Sequence, residues 1–112
     1  MWVMTTAREI MNDAQAKIQQ KPDEARLVGA IYKFVLEGDD GGTWIVDLTD
    51  SPSVEERDGE SPCTIKMSTS DFVSMMTGSE SPQVLFFAGK LHIDGDVMLA
   101  LRLQSLRQLL SS

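Results

Sequence analysis

The sequence predicts an α+β fold in which helices gather on one face of a sheet. Three observations predict it: an amphipathic helical stripe near the start, a switch to two-residue alternation from Ala30 to Ser68, and a return to helical spacing interrupted by one more short strand. The chain has 112 residues, the size of one domain. Such a domain buries a single core, so a sizeable ligand cavity must share it.

Thr6-Ala7-Arg8-Glu9 reads as a capping box that opens a helix. Ala7, Ile10, Met11, Ala14 and Ile18 then form an apolar stripe that stops near Gln20. Pro22 opens a second short helix to Leu27-Val28, closed by Gly29. From Ala30 the period is two, with Tyr32, Phe34 and Leu36 on one face. A Gly38–Gly42 turn leads to a strand over Thr43–Thr49, with Trp44, Val46 and Leu48 on one side. Asp50-Ser51-Pro52 turns the chain into a weakly patterned edge segment, Ser53–Arg57, whose charges discourage pairing with other sheets. After a turn at Asp58–Pro62, Cys63, Ile65 and Met67 alternate inward. Ser68–Asp71 caps a helix carrying Phe72, Met75 and Met76 and stopped by Gly78. Ser81-Pro82 starts another, carrying Val84 to Phe87 and ending at Gly89. Lys90–Asp94 is a short strand, and Gly95-Asp96 caps a last helix from Val97 to about Leu110.

Composition removes several function classes. The formal charge is −7, from 17 acidic and 10 basic residues. Nucleic acid repels such a surface, and no basic stripe offsets it. Docking to anionic lipid is disfavoured for the same reason. A single cysteine, Cys63, excludes an internal disulfide and any CxxC site, and a single histidine, His92, excludes a multi-histidine metal site. No apolar run approaches the roughly 20 residues that span a bilayer. Met1-Trp2-Val3-Met4 is too short and lacks the basic flank of a secretory signal, so it reads as start-site heterogeneity ahead of Met4 and the expected location is cytoplasmic.

The last helix is apolar well beyond need. Leu99, Leu103, Leu106 and Leu110 complete one stripe, and Val97, Met98, Ala100, Leu101 and Leu109 widen it. Its ~14 residues cover about 21 Å, comparable to a long acyl chain. Phe86-Phe87 and Met75-Met76 add apolar surface to the same side. Core packing, a dimer face and a lined cavity all explain this surplus, and periodicity does not separate them.

From Asp71-Phe72 through Met75, Gly78, Pro82, Phe86 and Gly89-Lys90-Leu91 to Ile93 and Gly95-Asp96, the chain resembles the sterol carrier protein type-two family. Thr43-Trp44-Ile45-Val46-Asp47 resembles a strand of that family, and Leu101-Arg102-Leu103-Gln104-Ser105-Leu106 its closing helix. The likeness runs over about residues 5 to 110, leaving residues 1–4 as a short extension. It implies a five-stranded, mostly antiparallel sheet with helices on one face and an apolar tunnel between them. It also implies non-catalytic, loosely selective binding and intracellular carriage of a fatty acid, fatty acyl thioester, phospholipid or sterol, with no cofactor or metal. Loose selectivity has a physical basis: burying ~15 methylenes is worth about 12 kcal/mol gross at ~0.8 per group, whatever lipid carries them, less the costs of ordering. The implied wall comprises Tyr32, Phe34, Trp44, Val46, Phe72, Met75, Met76, Phe86, Leu99, Leu103 and Leu106. The expected partners are the lipid and transient contact with a membrane, for a monomer or a homodimer. The alternative is an accessory or assembly domain supporting a lipid or quinone biosynthetic enzyme, working by dimerisation. The C-terminal Leu110-Ser111-Ser112 departs from the Ser-Lys-Leu-like ending of peroxisomal members, so delivery by that signal is not expected, and the start almost directly at the domain leads us to expect a stand-alone form unless the chain is trimmed from a longer protein.

No catalytic set converges. Cys63 is expected to face inward and His92 outward, so a thiol–imidazole pair does not form. Glu55-Glu56 and Asp39-Asp40 read as solvated charge. Asp47 lies mid-strand and suits a structural role. Gly38, Gly41 and Gly42 have no helix behind them to hold a phosphate. A polar lipid head requires a donor at the tunnel mouth, for which Gln83, Gln104, Arg26 and Arg102 are candidates, with Gln104 favoured by its place in the closing helix.

Overall fold

The computed structural model describes residues 6–38, 41–100 and 102–111. Helix α1 (Ala7–Gln20) opens on Thr6, whose hydroxyl accepts the Glu9 amide at 3.1 Å. Its buried stripe is Ala7, Met11, Ala14 and Ile18, with Ile10 half-buried beside it. Helix α2 (Pro22–Val28) starts on proline and closes on Gly29, left-handed at φ 63°. Both boundaries lie where the sequence places them.

Five strands follow the predicted periods: β1 (Ile31–Glu37), β2 (Gly42–Asp47), β3 (Ser53–Glu56), β4 (Cys63–Ser68) and β5 (Leu91–Gly95). They form one sheet in the order β3-β2-β1-β4-β5. Three neighbouring pairs are antiparallel, and the central pair, β1 with β4, is parallel. The sheet is therefore mixed, mostly antiparallel as expected. The register aligns Trp44, Phe34, Ile65 and Ile93 in one transverse row, and Val54, Val46, Tyr32 and Cys63 in the next. Because side chains alternate between faces, these rows build a continuous apolar surface on one side. Helices α1, α3 (Thr69–Met76), α4 (Pro82–Phe87) and the C-terminal segment supply Met11, Ile18, Phe72, Met75, Leu85, Leu103 and Leu106 to the same core.

The opposite face carries Lys33, Thr64, Lys66 and His92. Ile45 is the exception there, buried at β2, and a Cβ added at Gly59 of the loop between β3 and β4 would stand 4.0 Å from its Cδ1. That loop is anchored by the Lys33–Asp58 ion pair, which together with the Gly59 amide holds the Asp58 carboxyl below its ordinary range. At the β3 edge, Glu56 is more than solvated charge: it takes a bidentate pair from Arg8, whose guanidinium lies 5.3 Å over the Trp44 ring. The Arg8 hydrogen bonds pull the Glu56 carboxyl below its usual range. Asp39 and Asp40 lie outside the described residues.

The C-terminal helix departs from expectation. Instead of one helix there are two, α5 (Val97–Ala100) and α6 (Leu103–Ser111). The Tyr32 hydroxyl donates to the Leu99 carbonyl at 2.6 Å, and that oxygen also accepts the Arg102 amide at 3.0 Å. The Arg102 guanidinium meanwhile donates to the Val28 carbonyl at 2.9 Å. Groups on β1 and α2 thus hold the break from outside the segment, which its own periodicity does not reveal. Leu103, Leu106 and Leu109 are buried, whereas Val97 and Met98 are 57% and 68% exposed. Leu101 and the Leu110 side chain lie outside the described residues.

Gly95 ends β5 at φ 110°, and a Cβ there would stand 2.3 Å from the Pro62 carbonyl oxygen. The same oxygen accepts the Asp96 amide at 2.8 Å. Gly95→Ala therefore lowers stability by about 2 kcal/mol or more, read as a lower urea midpoint. Tyr32→Phe removes the bond to Leu99 and costs about 1–2 kcal/mol. Faster hydrogen exchange at the Leu99 and Arg102 amides, with β1 amides unchanged, would locate that loss at α5.

Candidate functional site

At the β5 edge the helical cover leaves a cleft. Ser81 caps α4, its hydroxyl accepting the Val84 amide at 3.2 Å, and six helical residues later the chain turns back through Gly89 at φ 76°. So short a helix buries Pro82 and Leu85 only. Phe86 and Phe87 remain 45% and 85% exposed, their rings edge to face with centroids 5.8 Å apart. Asp96 starts α5 by accepting the Met98 amide at 2.9 Å, which sets Val97 across from α4.

Between these elements lies a groove of about 250 Å³. Pro82, Gln83, Phe86 and Phe87 of α4 line one wall, Leu91 and Ile93 of β5 the floor, and Val97, Leu103 and Gln104 the wall facing α4. None of these side chains is ionisable. Val84 of α4 and Met98 of α5 are exposed as well, at 54% and 68%, and an uncharged apolar cleft of this kind marks a binding site.

Of the sequence-predicted wall, the structure brings Phe86, Leu103 and Gln104 into this groove. Tyr32, Phe34, Trp44, Val46, Phe72, Met75 and Leu106 are buried in the core, with Met76 and Leu99 packed against it. Phe34, Val46, Phe72, Met76 and Leu106 surround a void of only about 10 Å³, room for at most one water. The groove and the void meet α6 at Leu103 and Leu106, one turn apart on the same stripe. Sequence reasoning missed Phe87, Leu91, Ile93 and Val97 as groove residues. A signal existed: adjacent aromatics in a helix cannot both point into one core, so one of Phe86-Phe87 had to be surplus.

The candidate head-group donors separate cleanly. Gln83 and Gln104 stand on the groove walls. Arg102 is committed to Val28, and Arg26 to Asp23 and the Asp50 carbonyl. Asp47 has the structural role expected of it, accepting the Thr49 amide at 2.9 Å and the Thr49 hydroxyl. Cys63 is buried on the inner face, while His92 is exposed and pairs in register with Lys66, on the other face. Among the described residues no group of three or more metal-ligating side chains assembles, and no helix is long and apolar enough to cross a membrane.

The helix-covered, five-stranded mixed sheet is the fold of sterol-carrier-type α+β domains. The chain belongs to the SCP-2 sterol transfer family, whose model matches residues 11–108. It is 36% identical over 107 residues to sterol carrier protein 2 of Rattus norvegicus, covering 90% of this chain and 20% of that protein. The chain thus spans about a fifth of the length of the curated relatives it matches first. Among solved structures it resembles the apo form of sterol carrier protein 2 from Yarrowia lipolytica, at TM-score 0.79 and 23% identity over 90% of this chain and 88% of that one. It also resembles sterol carrier protein 2 of Aedes aegypti in complex with palmitate, at TM-score 0.68 and 20% identity over 95% and 98% of the two chains. At these identities the structural likeness is one of fold.

Burial pushes the Cys63 thiol up, and the Asp96 carboxylate adds to the effect. Reaction with a disulfide reagent at mildly alkaline pH is therefore expected to be about a hundredfold or more slower in the folded protein than in urea. Comparable rates would show that the inner face opens readily.

Proposed function

We propose that this domain binds one apolar lipid in the groove between α4, β5 and α6 and carries it without chemical change. The observation that carries the reading is the groove itself: an uncharged cleft whose aromatic rim stays exposed in a fold that, in the Aedes aegypti neighbour, holds palmitate. At about 250 Å³ it lies just under the ~300–1,000 Å³ of pockets that enclose a drug-sized ligand. A long chain therefore needs more room. The groove ends at Leu103, and one turn further along the α6 stripe Leu106 lines the separate small void ringed by Phe34, Phe72 and Met76. A modest outward shift of α6 joins the two, and Met76 adapts to an irregular guest. The wall residues predicted from the sequence then line the inner half of the path.

Carriage without catalysis is supported by the separation of Cys63 from His92 and by a groove lining that offers no acid, base or nucleophile. The lipid enters from a membrane, where the exposed rim of Phe87, Val84 and Met98 makes transient contact. A dimer sealed through this same rim is the competing use, and it predicts empty, tightly associated protein.

Phe86→Asp tests the reading, because Phe86 is half exposed and its replacement spares the core. The variant should weaken uptake of an uncharged pyrene-labelled alkyl lipid by about tenfold or more, with an unchanged urea midpoint. Undiminished uptake would remove α4 from the binding surface. Native mass spectrometry of the purified protein should show a monomer with copurified lipid rather than an empty dimer.

A further inference from the structure

Among the described residues β5 has β4 on one side and no strand on the other. The Asp96 amide bonds to the Pro62 carbonyl, and the register carries that pairing on to Asp94 with Thr64 and His92 with Lys66. Bonds in an antiparallel pair fall on alternate residues, so the N–H and C=O groups of Leu91, Ile93 and Gly95 point off the sheet edge. Leu91 is buried, which leaves Ile93 and Gly95 as the open stretch. Such an edge is a template for another strand. The sequence along it, Lys90-Leu91-His92-Ile93-Asp94-Gly95-Asp96, is antisymmetric in charge about Ile93. Its four ionisable groups are exposed, and no ion pair among the described residues engages them. Exposed apolar side chains flank the strand on both sides, Phe86 and Phe87 ahead of it, Val97 and Met98 behind.

We propose that the lipid-free domain pairs with a second copy of itself, β5 against β5 in antiparallel register about a two-fold axis at Ile93. Antiparallel pairing reverses the order of one strand. His92 then lies opposite the partner's Asp94, and Lys90 opposite the partner's Asp96, each contact occurring twice. Opposite charges facing across strands stabilise a sheet and like charges weaken it. The His92–Asp94 positions are of the kind without mutual backbone bonds, where side chains stand closest, and an imidazole donates to a carboxylate whether or not it is charged. Centring the axis on Asp94 sets that carboxylate against its own copy, and centring it on His92 sets imidazole against imidazole. Charge therefore selects Ile93. The same axis brings the partner's Val97 and Met98 toward Phe87, and the helices of both copies stay on one side of the joined sheet. An interface this short falls below the about 1,200 Å² that stable complexes bury, so half-association is expected near about 100 μM. Lipid opposes the pairing, a step that rests on the carrier reading. A guest in the groove covers Phe86, Phe87 and Val97, the surface a second copy otherwise hides, and a ligand that binds one state alone shifts the balance by mass action.

Sedimentation equilibrium of the full chain, stripped of lipid on a hydrophobic resin, should show monomer and dimer in exchange between about 10 and 500 μM. His92 and Asp94 lie outside the groove lining. Asp94→Lys, which removes the acceptor, and His92→Asp, which sets carboxylates face to face, should each weaken pairing about fivefold or more. Mixed in equal amounts, the two variants should pair with each other about as well as the unaltered chain, since every contact is then between opposites. Adding a pyrene-labelled alkyl lipid should return the unaltered protein to monomer as it loads. A stripped protein that stays monomeric throughout, a dimer indifferent to both variants, or variants that do not complement each other overturns the pairing and leaves lipid uptake standing. Lipid that loads without dissolving the dimer overturns the opposition between the two. Pairing as expected in a protein that takes up no lipid sinks the carrier reading and upholds the interface.

Discussion

A phenol buried under helices must keep its hydroxyl bonded, and Tyr32 meets that requirement through the Leu99 carbonyl. Burial drives its ionisation far above the ordinary range, with Cys63 adding to the rise and Arg102 opposing it, so the group is a fixed donor. The acceptor lies 67 residues away in the chain. The bond ties β1 to the C-terminal segment at the end of α5, just ahead of α6. Leu103 of α6 reaches the groove wall from there, and Leu106 one turn on reaches the core void.

The core and the site use the same kinds of residue for different ends. Phe34 and Phe72 stack edge to face with centroids 5.7 Å apart and are almost wholly enclosed. Phe86 and Phe87 have nearly the same mutual geometry yet stand in the open. What distinguishes the pairs is the length of the element beneath them. Phe72 belongs to an eight-residue helix packed on the sheet, whereas a six-residue helix turns too little surface inward to hide two adjacent rings.

Local chemistry in the sequence was enough to place most elements. Thr6, Ser68 and Ser81 cap the helices they were expected to cap, each accepting an amide three residues on. The capping box at Thr6 is half formed, since no described bond returns from the Glu9 carboxylate. Pro22, Gly29 and Gly89 mark boundaries by backbone geometry alone, and the alternation in β1, β2 and β4 told the inner face from the outer. What local pattern does not encode is long-range pairing. The parallel match of β1 with β4 and the break near Arg102 depend on groups far away in the chain. The site was legible only as a surplus of apolar residues in the C-terminal third. Which of them pack and which stay free is settled by tertiary contact, and so Leu106 proved interior while Phe87 proved open. The Glu56 carboxylate, read as free charge, is bound because α1 crosses the β3 edge and brings Arg8 to it.

The order of the strands has a consequence for adaptability. Arg8, Trp44 and Glu56 fasten one border of the sheet, and the cleft occupies the other, with three strands between β3 and β5. At about 4.8 Å per strand, the two borders stand roughly 19 Å apart, and changes separated by more than ~7–10 Å combine nearly independently. Such a layout lets one rim be recut while the far rim keeps the scaffold shut. A domain this small has little stability to spare, and spatial division lets its cleft vary without loosening its own interior.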